Sequence, residues 1–152
     1  MKLAEALQER ADLNRKIEEL RRRLNNCILV QEGEEPPEDP ELLLHELDGA
    51  VERLEYLMAA INLTNCRTEA DGTSLTGLIA RKDALTLSLS AYRDLAYAAG
   101  RGAERARGSE IRIRASVKAS ELQRRADGLA KQVRLTDNLL QQTNWTTELI
   151  EK

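Results

Sequence analysis

At 152 residues the chain has the length of one ordinary domain, enough to bury a real core. Hydrophobic residues make up 41% and charged residues 32%, but aromatics only 3%, and phenylalanine is absent; a core of Leu, Ile, Val and Ala under so charged a surface suits long amphipathic helices better than sheets. A formal net charge of −3 excludes a generally basic nucleic-acid binder and leaves room only for a local basic patch.

The first helix is expected over residues 2–28. Leu3, Ala6, Arg10, Leu13, Ile17, Leu20, Leu24 and Cys27 follow alternating three- and four-residue steps, the seam of helices packed at a shallow angle, with Arg10 as its one misfit. "VQEGEEPPEDP" then breaks the helix with Gly33, Pro36, Pro37 and Pro40. A second helix is expected over 40–66, with Asp39 as N-cap, Pro40 at the first helical position and Glu41 complementing the helix dipole. Its seam runs Leu43, Leu47, Ala50, Leu54, Leu57, Ile61. The chain turns at "RTEADGTS", with Asp71-Gly72 as the pivot and Thr73 or Ser74 as the next cap.

The third helix, 75–99, carries two apolar stripes. Leu85, Leu89, Tyr92 and Ala96 form one; Leu87, Ala91, Leu95 and Ala98 form the other, about 130° around the axis at ~100° per residue. Such a helix is either the most enclosed of the four or part of a subunit contact. "GRGAERARG" ends it, and an arm over 107–118, "RGSEIRIRASV" with Lys118, follows. The fourth helix, 119–144, has the seam Leu122, Ala126, Leu129, Val133, Thr136, Leu140.

These elements predict one all-α domain over 1–152, an up-down-up-down bundle of four long helices with leucine-zipper-like seams. The only strand-like piece is expected in the arm between helices three and four. At 1.5 Å per residue each helix is about 35–40 Å long. The topology puts the acidic "QEGEEPPED" loop and the Arg-rich 100–117 segment at one end, and Cys27 and Cys66 at opposite ends. No intrachain disulfide is expected, since the Cα atoms of a disulfide lie within about 7 Å.

Enzyme chemistry finds little footing. His45 is the only histidine, and Glu41 stands four residues before it, whereas carboxylate-bridged di-metal bundles use paired Glu-x-x-His motifs. The acidic loop lacks the ligand pattern and glycine of an EF-hand, and no Gly-rich stretch follows a strand. The sequence therefore predicts no catalytic residues, no metal and no cofactor, and it leaves any small-molecule ligand unknown.

Two surfaces remain. In the arm, Arg101, Arg105, Arg107, Arg112 and Arg114 could contact phosphates, but no aromatic interleaves them for base stacking and Glu104 and Glu110 dilute the charge. Alternation of Ile111 and Ile113, with Val117 beyond, makes one face apolar, and a lone strand leaves backbone groups unpaired. Self-association is therefore preferred over nucleic acid, through Ile111, Arg112, Ile113, Arg114 and Val117 together with Leu87 and Leu95, giving a homo-oligomer. At the other end, Asn62, Thr64, Asn65 and Thr68 finish the second helix and Asn144, Trp145, Thr146 and Thr147 the fourth. The Asn and Thr residues read first as helix caps, and alternatively Asn62, Asn65, Asn144, Trp145 and Thr146 as a small polar pocket beside the only tryptophan. No apolar run approaches the ~18–20 residues that span a bilayer, no signal-peptide core is present, and two cysteines make no disulfide framework. A cytoplasmic protein is expected.

The blocks "MKLAEALQERADL", "VQEGEEPPEDP", "INLTN" with "DGTSLTGLIARKDAL", and "NWTTELIE" together resemble the septicolysin-like family of small bacterial proteins, over nearly the whole chain. That resemblance implies an all-helical, leucine-zipper-like, otherwise uncharacterised protein, and the family name implies cytolysin-like membrane activity as the alternative function. The residues themselves favour a non-catalytic, self-associating helical protein with a structural or binding role.

Overall fold

Periodic apolar residues and well-placed caps produce four long helices in the computed structural model, which describes residues 1–101 and 111–151: α1 (Leu3–Cys27), α2 (Pro40–Arg67), α3 (Leu75–Gly100) and α4 (Ala119–Thr146). The caps follow the local chemistry. Glu5 accepts the Lys2 backbone N–H at 2.7 Å, Asp39 accepts that of Glu41 at 3.0 Å with Pro40 opening α2, and the Ser74 hydroxyl accepts that of Gly77 at 3.1 Å. The chain's contacts divide it into two compact units, Met1–Glu69 with Thr143–Lys152, and Ala70–Gln142.

In the first unit the seams of α1 and α2 bury Leu3, Ala6, Leu20, Leu24 and Cys27 with Leu43, Ala50, Leu57 and Ile61. Ion pairs join the two helices from end to end: Glu9–Arg53 at 2.7 Å, Lys16–Glu46 at 3.6 Å, and Arg23–Glu38 where α2 begins. One residue number rises as the other falls, so the helices run antiparallel. Arg10, out of place on the seam, is only partly buried.

The start of the chain is clasped by its tail. Lys2 and Glu148 form an antiparallel bridge, in which the Leu3 N–H donates to the Thr147 carbonyl and the Leu149 N–H to that of Met1, both at 2.9 Å. The fully buried Thr64 donates to the Ala60 carbonyl at 2.8 Å and accepts the Ile150 N–H at 2.9 Å, which ties the tail to α2.

In the second unit α3 and α4 are also antiparallel, as Lys82–Asp137 at 2.9 Å and Arg125 over the ring of Tyr92 show. Leu75, Leu78, Leu89 and Ala96 are buried on α3, and Leu122, Ala126, Thr136 and Leu140 on α4.

The expected position of the strand is corrected. The described residues 111–118 contain no strand, and 107–110 lie outside the described residues. Instead β1 (Glu69–Ala70) and β2 (Thr73–Ser74) pair across Asp71-Gly72, at φ 50° and 73°. Positive φ at both central residues is what a type I′ hairpin turn demands, and Asp-Gly is among the pairs that tolerate it. Closing a two-residue loop costs little entropy, which favours pairing of the two short segments that flank Asp71-Gly72.

Candidate functional site

The second apolar stripe of α3 is left in solvent among the described residues. Leu87 is 75% and Leu95 54% exposed, and Ala91 and Ala98 between and beyond them are exposed too. The other stripe turns inward, with Leu89 and Ala96 buried and Leu85 and Tyr92 partly so. Of the two alternatives posed by the double stripe, enclosure is therefore excluded. Ala80 and Ala84 extend the outer stripe by two more turns at the same three- and four-residue spacing, and both are exposed. The spacing alone could have found them; alanine is easily passed over because it occurs on any helix face.

The segment after α3 lies in the same unit. Ile111 (74% exposed), Ile113 and Val117 present apolar side chains to solvent, and Arg112 and Arg114 are exposed between and beside them. Arg114 to Val117 border an apolar groove of about 310 Å³, whose other wall is Leu95, Ala98 and Ala99 of α3 with Leu122 of α4. The residues expected to mediate self-association, Leu87, Leu95, Ile111, Arg112, Ile113, Arg114 and Val117, are thus all solvent-facing. Leu95, Arg114 and Val117 meet at one groove. On the acidic edge of the stripe, one residue before Leu95, stands Asp94; Asp83 lies three turns earlier on that edge. Neither carboxylate has an ion-pair partner among the described residues, nor do Arg112 and Arg114.

The polar end is arranged differently from the expected pocket beside tryptophan. Trp145 is 52% exposed, Asn62 and Thr146 are exposed, and Asn65 and Asn144 are partly buried. The reason is helical phase: Trp145 stands nine residues beyond buried Thr136, about 180° around α4. Thr64, which the sequence placed only among the capping residues, is the buried polar centre of that end. Beside it, Lys2 and the chain's amino terminus hold the Glu148 carboxyl below its ordinary range, mainly through the Lys2 hydrogen bond.

His45 is exposed on α2, Cys27 is a buried and Cys66 an exposed free cysteine, and among the described residues no group of three His, Cys, Asp or Glu side chains is placed to hold a metal ion. No helix among the described residues is long and apolar enough to cross a membrane.

A family of unknown function, DUF6847, matches residues 10–149. The chain belongs to this family. It is also similar to the crystal structure of a functionally unknown conserved protein from Corynebacterium diphtheriae, with 38% identity, 99% of each chain covered and a TM-score of 0.91. No curated protein matches. The double-stripe α3 and the groove beside it are therefore read on their own chemistry.

Proposed function

We propose that this DUF6847 protein is a non-catalytic, cytoplasmic helical protein that works by self-association, a second copy covering the outer face of α3 and the segment beyond it. The observation that carries the reading is the exposed run from Ala80 to Ala98, a heptad-like seam with Leu87 and Leu95 in solvent. Its length is about 27 Å at 1.5 Å per residue. With a helix about 10 Å wide, that strip alone falls short of the roughly 800 Å² per partner of a stable interface. Ile111, Ile113 and Val117 supply further apolar surface, and unpaired Arg112 and Arg114 match unpaired Asp83 and Asp94 in charge. A two-fold pairing in which each copy presents both elements uses all of these features.

Replacing Ile111 and Ile113 with Lys places charge in the proposed contact, and sedimentation should show weaker association or lower order at unchanged helix content. Replacing Arg112 and Arg114 with Gln should change association much less, because exposed ion pairs contribute only about 0–1 kcal/mol. A parent that sediments as a monomer, or an isoleucine variant that keeps the parent's state, would overturn the reading. Leakage from dye-loaded liposomes would support instead the membrane activity implied by the septicolysin-like resemblance. A mobility shift that fades with salt would support nucleic-acid binding.

A further inference from the structure

The second unit contains another cleft, away from the outer stripe. It holds about 370 Å³ between the start of α3, the later half of α4 and the Asp71-Gly72 turn. That volume is within the range of small-molecule sites, which join an apolar floor to a few convergent polar groups. Here the floor is Leu78, buried, and the wall is Leu135, which leaves more than half of its surface in solvent.

The polar groups are arranged unusually for a mere surface furrow. Thr136 lines the cleft and is only 9% exposed, yet its hydroxyl has no hydrogen-bond partner among the described residues. Every fully enclosed side-chain oxygen and nitrogen described here is hydrogen-bonded, so this hydroxyl opens onto the cleft and not into packed core. A hydroxyl that the fold leaves unbonded at the edge of an apolar cleft is available to a bound molecule. Exposed Thr86 in α3 donates to the Lys82 carbonyl at 2.8 Å, four residues back; Thr136 makes no such bond among the described residues. Around the rim stand Arg81, Asp71 and Gln132, whose side chains likewise have no ion pair or hydrogen bond among the described residues. The neighbouring Lys82 and Asp137 neutralise each other, which leaves Arg81 and Asp71 as the unpaired cation and anion of the cleft.

This combination selects a ligand class. A simple anion would meet Arg81 but be repelled by Asp71, and a simple cation would meet the reverse. A neutral apolar molecule would cover Leu78 and Leu135 but leave the Thr136 hydroxyl and both charges unmatched. We infer that the cleft between α3 and α4 binds a small zwitterion with an aliphatic body, an α-amino acid of the leucine type. Its carboxylate would lie toward Arg81, its ammonium toward Asp71, its side chain on Leu78 and Leu135, and Thr136 and Gln132 would complete the hydrogen bonding. The inference is independent of self-association, since sedimentation reads one and ligand titration the other.

Titration calorimetry with L-leucine, 4-methylpentanoate and isopentylamine tests it, because the last two remove one charge each from the same aliphatic body. Leucine should bind at least about tenfold more tightly than either, the ratio expected when one charge-assisted hydrogen-bond pair is lost. Arg81→Gln should weaken leucine by about tenfold or more. Thr136→Val should weaken it several-fold without lowering the melting temperature, since the hydroxyl it removes bonds nothing in the fold. Asp71→Asn keeps a residue that tolerates positive φ and should abolish the preference for leucine over 4-methylpentanoate. Absence of leucine binding at millimolar concentration, equal binding of the three probes, or unchanged affinity in Arg81→Gln would each overturn the inference.

Discussion

The two helical hairpins of this chain use similar materials to different ends. In α1–α2 the two seams interlock, ion pairs are spaced along the whole hairpin, and the tail is fastened by backbone hydrogen bonds and by Thr64. In α3–α4 the buried seam residues are accompanied, among the described residues, by the Lys82–Asp137 ion pair and the Arg125–Tyr92 contact, and an apolar groove and a polar cleft stay open. Both units leave apolar side chains in solvent, Leu29 and Leu42 in the first as well as Leu87 and Leu95 in the second, but in the second Leu95 and Leu135 line the groove and the cleft. The two hairpins thus differ in how their helices are joined.

The largest effect that sharpens this contrast comes from truncation of the first seam. Leu57 is fully buried, so Leu57→Ala should cost about 2–5 kcal/mol in urea or thermal unfolding. A cost below about 1 kcal/mol would mean that the α1–α2 core is no tighter than an ordinary surface. Next is the tail. Thr64→Val removes the acceptor of the Ile150 N–H and should cost about 1–3 kcal/mol, with faster hydrogen exchange at Ile150 than at core amides of α2. Exchange at Ile150 that does not change would show that the clasp contributes nothing.

A smaller effect is electrostatic. Hydrogen bonds from Arg53 hold the Glu9 carboxyl below its usual 4.5, and Arg23 does the same for Glu38. A carboxylate whose folded pKa is depressed contributes stability that is present above its unfolded value and is lost as pH falls through the folded one. Acid should therefore loosen the first unit below about pH 4.5. Glu9→Gln should flatten that part of the pH–stability curve while changing stability at neutral pH by about 0–1 kcal/mol. An unaltered acid limb in the variant would contradict the assignment. The smallest effect is expected on the outer face of α3. Leu87→Ser should change the stability of dilute protein by no more than about 0.5 kcal/mol, because the side chain is already in solvent. A loss of several kcal/mol would show that the face is packed within the chain.

Helix positions and inward faces were legible in the sequence because they depend on spacing and caps: the seam from Leu43 to Ile61 and the Asp39-Pro40 start of α2 are found where the pattern puts them. The double stripe of α3 was legible too, but not which stripe would be covered, since that depends on which helices pack against it. The hairpin at 69–74 was visible only as an Asp-Gly turn. Two residues on either side carry no alternation, and their pairing follows from φ at Asp71 and Gly72. Thr64 and Thr136 look alike in sequence, threonines in apolar helices. One is fully bonded and the other is not, a difference set by what the fold brings to each. The Arg81–Asp71 cleft joins residues from a turn and two helices and has no local signature.

The central claim, that the second unit keeps its outer face for another copy of the chain, is tested most directly by sedimentation equilibrium over a wide concentration range. The parent should be measured beside a Leu87→Lys, Leu95→Lys variant. The account predicts a parent that associates and a variant shifted to monomer, both with the same helix content and the same melting temperature when dilute. A parent that is monomeric throughout, or a variant that associates as the parent does, would contradict it.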